Sequence, residues 1–385
     1  MIHYLADELP RRLGRPVKPD ILCGTSVGAI HACFLAGTAD QDAGRGQRLV
    51  DFWGAMKVQE VLPFTTRDLF GLARRLFGLR RIAEAFRVGR APERLYGLLD
   101  TRALERMVVR SVPWSSIHRN VMAGHVGAVC VATTEVATGR VVVFMDTKDH
   151  ELPGWSRDPL LVPRITRLRP THALASAAIP LLFPVVRIAS TYYADGGLRL
   201  NTPLSPALRL GADRVLVVAL RQGPSASHAT AEHSVSDYAN PAFLFGKILN
   251  SLMLDHIDTD LARMRDMNEL IRNGERAFGA DFLARLGAAH ESAHEPRRAI
   301  DELVIRPSAD LGVLAGQVLR DLPAASLRSP LFRLAMRNLE PGRQSAEADL
   351  LSYLLFDGEF LAPLAELGYR DARAHEEELV KFFTD

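Results

Sequence analysis

The feature that most constrains this chain is Gly24-Thr25-Ser26-Val27-Gly28, a G-x-S-x-G pattern. It follows an apolar strand candidate, Ile21-Leu22-Cys23, and leads into Ala29 to Ala36, which is helix-compatible. A serine on a sharp turn between strand and helix stands clear of the backbone, and glycines two residues to either side relieve the crowding such a turn creates. The helix beneath offers free N–H groups and a positive dipole end, and the N–H of Val27 is a natural donor to a developing oxyanion. By chance a chain of 385 residues carries such a pattern in roughly one case in eight. The strand before it and the helix after it are therefore what separate a nucleophile's elbow from a plain glycine-rich turn.

A nucleophilic serine needs a base. A late histidine is the usual partner in α/β-hydrolases, and His172, His228, His233, His256, His290, His294 and His375 all follow Ser26. None stands at a strand end with a turn to aim it. Asp195 does: Asp195-Gly196-Gly197 follows the apolar Tyr192-Tyr193-Ala194, so its carboxylate is expected at a strand end. Gly196 and Gly197 let the backbone turn sharply and come close to the serine. A carboxylate within hydrogen-bond reach can take the serine proton directly. The plainer reading is a simple turn, since Asp-Gly is a favoured turn pair.

Along the chain, residues 1–12 read as a helix and 41–110 as mostly helical. Ala128 to Glu135 and Arg140 to Phe144 form β-rich runs joined by Ala137-Thr138-Gly139, a hairpin pattern. Leu182 to Ile188 and Thr191 to Ala194 are short strand candidates. Arg214 to Leu220 is a continuous apolar run, suited to a strand buried on both faces. Residues 221–240 read as loop, Phe243 to Ile271 as a long amphipathic helix, Glu302 to Arg306 as one more strand, and the remainder as helical.

The balance of 47 basic and 45 acidic residues, net +2, argues against a dedicated nucleic-acid binder, which needs a basic excess on one face. Cys23, Cys33 and Cys130 make a sparse, odd set, which reads as reduced and cytoplasmic rather than as a disulfide framework. No C-x-x-C pair or H-E-x-x-H is present, so no metal site is legible and no cofactor is expected. The first residues lack a basic leader with a long apolar stretch. The longest nearly apolar run, Ala173 to Val186, is too short to span a bilayer and carries Pro180 and Pro184.

The sequence Gly24-Thr25-Ser26-Val27-Gly28-Ala29-Ile30, followed by Asp195-Gly196-Gly197, resembles the patatin-like phospholipase family. Ala175 to Pro184, Asn201-Thr202-Pro203, Gly211-Ala212-Asp213 and the Thr133 to Phe144 hairpin are similar to that family's pattern too. The resemblance covers roughly residues 1–220. It implies an α/β fold: a three-layer sandwich on a mainly parallel central sheet, with a helical insertion and a helical C-terminal extension. The expected divisions are a core over 1–220 with a helical cap at about 41–110, a helical extension with a return strand over 221–315, and a helical region over 316–385. The resemblance further implies hydrolysis of lipid acyl esters through an acyl-enzyme, with Ser26 as nucleophile and Asp195 as proton acceptor. Lipid is the expected partner; no oligomeric state is legible.

One departure stands out. The family carries a glycine-rich loop with an arginine, upstream of the serine after its first strand, and this loop completes the oxyanion hole. No Gly-rich run precedes Gly24, and Gly14 stands alone beside Arg15. The first strand and oxyanion loop are therefore expected to be absent. The alternative function is then a patatin fold that binds lipid with weak or no turnover.

Residues 64–96 combine a helical apolar stripe (Leu69, Leu72, Leu76, Leu79, Ile82, Phe86) with eight arginines between Arg67 and Arg94. Such a helix can pack on the domain as a cap with its arginines solvated. It can also lie at a membrane surface, with Arg74, Arg75, Arg80 and Arg81 among anionic headgroups.

Overall fold

The apolar run before Ser26 forms strand β1 (Ile21–Thr25) in a computed structural model that describes residues 1–56, 94–95, 101–149, 159–223, 257–288, 298–321 and 357–384. Upstream, the helical turns of Tyr4–Glu8 run into α1 (Leu9–Leu13), which Gly14 ends at a φ of 64°. Downstream of the serine comes α2 (Val27–Gly37), in which Ala29, Ile30, Ala32, Cys33, Phe34, Ala36 and Gly37 are all buried. A helix apolar on nearly every side belongs inside a core. Its far end is held by Asn120, whose side-chain N–H donates to the Ala36 carbonyl at 2.8 Å.

The described part of the expected 41–110 insertion comprises α3 (Arg45–Gly54), the two-residue strand β2 (Arg94–Leu95) and the start of α4 (Arg102–Ser111). The Leu69–Phe86 stripe and Arg74, Arg75, Arg80 and Arg81 lie outside the described residues. After α5 (Trp114–Ala123) come β3 (Ala128–Glu135) and β4 (Val141–Thr147), the expected hairpin, paired antiparallel and turning through Gly139 at a φ of 68°. Then follow β5 (Leu161–Ile165), α6 (Pro170–Ser176), β6 (Val185–Ile188) and β7 (Thr191–Asp195).

These strands make one seven-stranded sheet in the order β2-β6-β7-β3-β4-β5, with β1 also on β3. Pairing is parallel for β1 with β3 and for β4 with β5, and antiparallel for the β3–β4 and β6–β7 hairpins and for β2 with β6 and β3 with β7. Both faces of the centre are covered. Val129 and Val131 of β3, with Val142 and Phe144 of β4, pack into the main core with α2 and α6. Their alternates, Cys130, Val141, Val143 and Met145, pack on the other face under Leu200 and Leu210. The result is a mixed α/β fold with a central sheet flanked by helices.

The apolar run from Arg214 meets its expected burial in the middle but not at its end. After α7 (Leu204–Arg209), it forms β8 (Arg214–Val218) in a separate parallel pair with β9 (Asp301–Ile305). Val218 is 42 % and Leu220 54 % exposed. Val215 and Val217 are buried with Leu204 and Leu261 on one face, and Leu216 packs toward Tyr4, Leu9 and Val17 on the other, so the middle of the strand is covered and its C-terminal end is not. The expected 243–271 helix is described from its middle onward as α8 (Ile257–Phe278), and α9 (Phe282–Ala288) follows. Beyond β9 come α10 (Leu311–Asp321), α11 (Gly358–Ala374) and α12 (Glu376–Thr384). The last two do not stand apart: Ala372 and Leu379 share a buried cluster with Tyr4, Leu9 and Val17 near the N-terminus. None of the described helices is long and apolar enough to cross a membrane.

Candidate active site

Two strands share one edge of β3 and meet end to end. Running parallel to β3, β1 finishes with Thr25 opposite Ala132. Running antiparallel to it, β7 finishes with Asp195 opposite the next residue, Thr133. The residue after β1 is Ser26 and the last residue of β7 is Asp195, so the edge register alone places serine and carboxylate side by side.

Ser26 sits at φ 55° and ψ −128°, a conformation that a non-glycine residue adopts only under constraint. It occupies the N-cap position of α2 but makes no capping bond through its side chain, so the hydroxyl is not tied to the helix and can face Asp195. Val27 and Gly28 open the helix, so their N–H groups have no carbonyl within the helix to bind. Gly24 is required by crowding: a Cβ there would lie 2.1 Å from the Gly28 carbonyl oxygen. The sequence-based expectation that both flanking glycines relieve a clash is corrected at Gly28, where a Cβ would meet nothing within 4 Å. The approach is one-sided, because it is the backbone of Gly28 that lies over Gly24.

Asp195 is fully buried. Its Oδ1 accepts a hydrogen bond from the Gly197 N–H at 2.7 Å. Among the described residues its Oδ2 has no partner of full hydrogen-bond geometry. Burial pushes the carboxyl up to about 7, opposed by interaction with the Ser26 hydroxyl and by the Gly197 N–H. Gly196 is needed for close approach: a Cβ there would lie 2.4 Å from the Ala132 carbonyl oxygen. The Asp195 backbone is held on both sides, with Thr134 Oγ1 donating to its carbonyl at 2.9 Å and its N–H donating to the Ala178 carbonyl at 2.9 Å.

A cavity of about 1750 Å³ opens at Ser26, with Ile30, His31, Leu35, Val217 and Phe360 among its lining residues. Among the described residues, neither β1 nor β8 has a second strand partner, and residues of both line this cavity.

His31, His172 and His375 have other partners. His31 is half-buried; loss of solvent around its ring pushes it down to about 4, and its Nε2 accepts from the Trp53 indole N–H at 2.8 Å. His172 is likewise lowered to about 4, mainly by burial, with Nδ1 accepting from the Arg169 N–H at 2.9 Å. His375 pairs through Nδ1 with the Asp371 carbonyl. His228, His233, His256, His290 and His294 lie outside the described residues. Among the described residues, no group of three or more His, Cys, Asp or Glu side chains could hold a metal ion.

One residue of the site escaped sequence reasoning. Ser176 is completely buried, and its hydroxyl touches the backbones of both Ser26 and Ala132. The available signal was a lone hydroxyl within the alanine-rich apolar stretch Ala173 to Ala178, since a buried hydroxyl must find partners.

A comparison with curated proteins finds no match. A family model described as "Patatin-like phospholipase" matches residues 2–208, more than half of the chain and all of the residues around Ser26 and Asp195. The chain belongs to the patatin-like phospholipase family, a family of lipid acyl hydrolases.

Proposed function

We propose that this protein hydrolyses carboxylic esters of lipids through a Ser26–Asp195 dyad and an acyl-enzyme, with residues 1–220 as the catalytic unit. The observation that carries this reading is the meeting of β1 and β7 on one edge of β3, which sets a buried carboxyl with a pKa of about 7 beside the Ser26 hydroxyl. A carboxylate of ordinary acidity is a poor base for a serine. One whose charged form is disfavoured by burial gains more by taking the proton, and a base with a pKa near the working pH is the efficient one.

Ser26 Oγ attacks the acyl carbonyl carbon as Asp195 accepts its proton. The N–H groups at the start of α2, Val27 foremost, donate to the oxyanion that forms. Collapse of the tetrahedral intermediate expels the alcohol, which takes the proton from Asp195 and leaves the acyl group on Ser26. A water molecule then gives its proton to Asp195 and attacks the acyl carbonyl, and Ser26 is regenerated with that proton. The apolar walls of the cavity beside Ser26 suit an acyl chain.

The test is the pH dependence of fluorophosphonate labelling and of short-chain ester turnover. Both are expected to rise with pH through about 7 and then level off, because Asp195 acts only when ionised. A rate that stays flat between pH 5 and 9 would remove Asp195 from the role of base. Labelling of Ser26 without ester turnover would favour the alternative, a patatin fold that binds lipid but lacks a complete oxyanion hole.

The same function is served if residues 64–96 dock on anionic membrane surfaces. Vesicle binding should then rise with anionic lipid and weaken with salt. Replacing Arg74, Arg75, Arg80 and Arg81 with Gln should lower it several-fold while sparing hydrolysis of a soluble ester. Binding indifferent to salt and to those substitutions would exclude this segment as the docking surface.

A further inference from the structure

We propose that Ser176 is a positioning residue that, together with Ala178, clamps the backbones of the two dyad residues at a fixed separation; this rests on the reading of Ser26 as nucleophile. Ser176 ends α6, and its fully buried hydroxyl makes two bonds at once. It donates to the Ala132 carbonyl at 2.6 Å and accepts the Ser26 N–H at 2.9 Å. Two residues on, the Ala178 carbonyl accepts the Asp195 N–H at 2.9 Å. One short segment therefore grips Ser26 with a side chain and Asp195 with a carbonyl.

The grip falls where the sheet cannot supply it. The edge of β3 hands over from β1 to β7 between Ala132 and Thr133, and a ladder that changes partner leaves backbone groups unpaired. The Ser26 N–H is one of the groups displaced, because its backbone has left the strand for φ 55° and ψ −128°. The hydroxyl of Ser176 supplies the missing acceptor and ties the strained turn to β3 in one step. A hydroxyl can do this and a methyl cannot, because only an oxygen both donates and accepts. The unreacted serine is thereby held in the geometry the reaction needs, a state that backbone strain would otherwise relax.

Ser176→Ala removes both bonds without adding bulk. Losing one hydrogen bond and leaving its partners buried is worth roughly a 5- to 150-fold effect. The variant is expected to label with fluorophosphonate about 10- to 100-fold more slowly per folded molecule, to lose kcat on a soluble ester by a similar factor, and to keep KM within about 2-fold. Ser176→Thr restores the hydroxyl and is expected to recover most of the loss. Amide hydrogen exchange reads the clamp without reference to activity: peptides covering residues 24–28 should exchange faster in Ser176→Ala, with β4 unchanged. Folded fraction is fixed for each variant by urea unfolding. Unchanged exchange at residues 24–28, a wild-type labelling rate per folded molecule, or a Ser176→Thr variant no better than Ser176→Ala overturns the proposal. Faster exchange at residues 24–28 in Ser176→Ala, combined with a wild-type protein whose Ser26 never labels, would instead uphold the clamp and overturn the nucleophile.

Discussion

Ser26→Ala and Asp195→Asn are each expected to lower ester turnover by roughly four orders of magnitude or more, the scale of removing a nucleophile or its base. No described histidine hydrogen-bonds to Ser26 to take over; His31 and His172 are engaged by Trp53 and Arg169. The two variants should differ in stability. In the folded protein Asp195 keeps its proton up to about pH 7, whereas in the unfolded chain it ionises in the usual carboxylate range. Between those values the folded state binds more protons than the unfolded one, so stability falls as pH rises. Above pH 7 the deficit levels off, on the order of 4 kcal/mol. Asp195→Asn has no charge to bury. It should unfold at a higher temperature than wild type at pH 8, and the advantage should vanish by about pH 4. Near-normal turnover in Asp195→Asn would refute the dyad. A stability difference independent of pH would show that burial does not raise this carboxyl.

The elbow glycines should separate sharply. Gly24→Ala puts a Cβ 2.1 Å from the Gly28 carbonyl oxygen, and Gly196→Ala puts one 2.4 Å from the Ala132 carbonyl oxygen. Backbone atoms in a packed core cannot move aside cheaply, so each substitution should cost about 3 kcal/mol or more and displace Ser26 from Asp195. Gly28→Ala meets open space. It should leave the protein as stable as wild type or stabilise it by roughly 0.5–1 kcal/mol, because alanine is the better helix former. Urea unfolding and fluorophosphonate labelling of the three variants check this. A Gly24→Ala protein that folds and labels normally would show that the turn is not as tight as the structure has it.

The contrast between Gly24 and Gly28 marks how far the sequence could be read. The strand, turn and helix around Ser26 were legible because each is local: an apolar run, a glycine where the backbone crosses itself, and a helix-forming stretch, all within residues 21–37. The β3–β4 hairpin was legible for the same reason, with two β-rich runs and a Gly at positive φ between them. Which of the two flanking glycines is sterically required was not, since that depends on which backbone lies over which. The end of the β8 run misled, because apolar residues look the same whether or not anything covers them: Val215 and Val217 are buried, whereas Val218 and Leu220 stay exposed.

The sequence by itself determined the family, the tight turn at Ser26 and Asp195 at the end of a strand. Tertiary structure alone decided that β1 and β7 share one edge of β3, that burial lifts Asp195 to about 7, and that Ser176 bridges the junction between them. The physical reason is separation along the chain. Ser26, Ala132, Ser176 and Asp195 lie in four segments whose local patterns specify strand, helix or turn, whereas the contacts among them arise only when both faces of the sheet are packed and every buried polar group must find a partner.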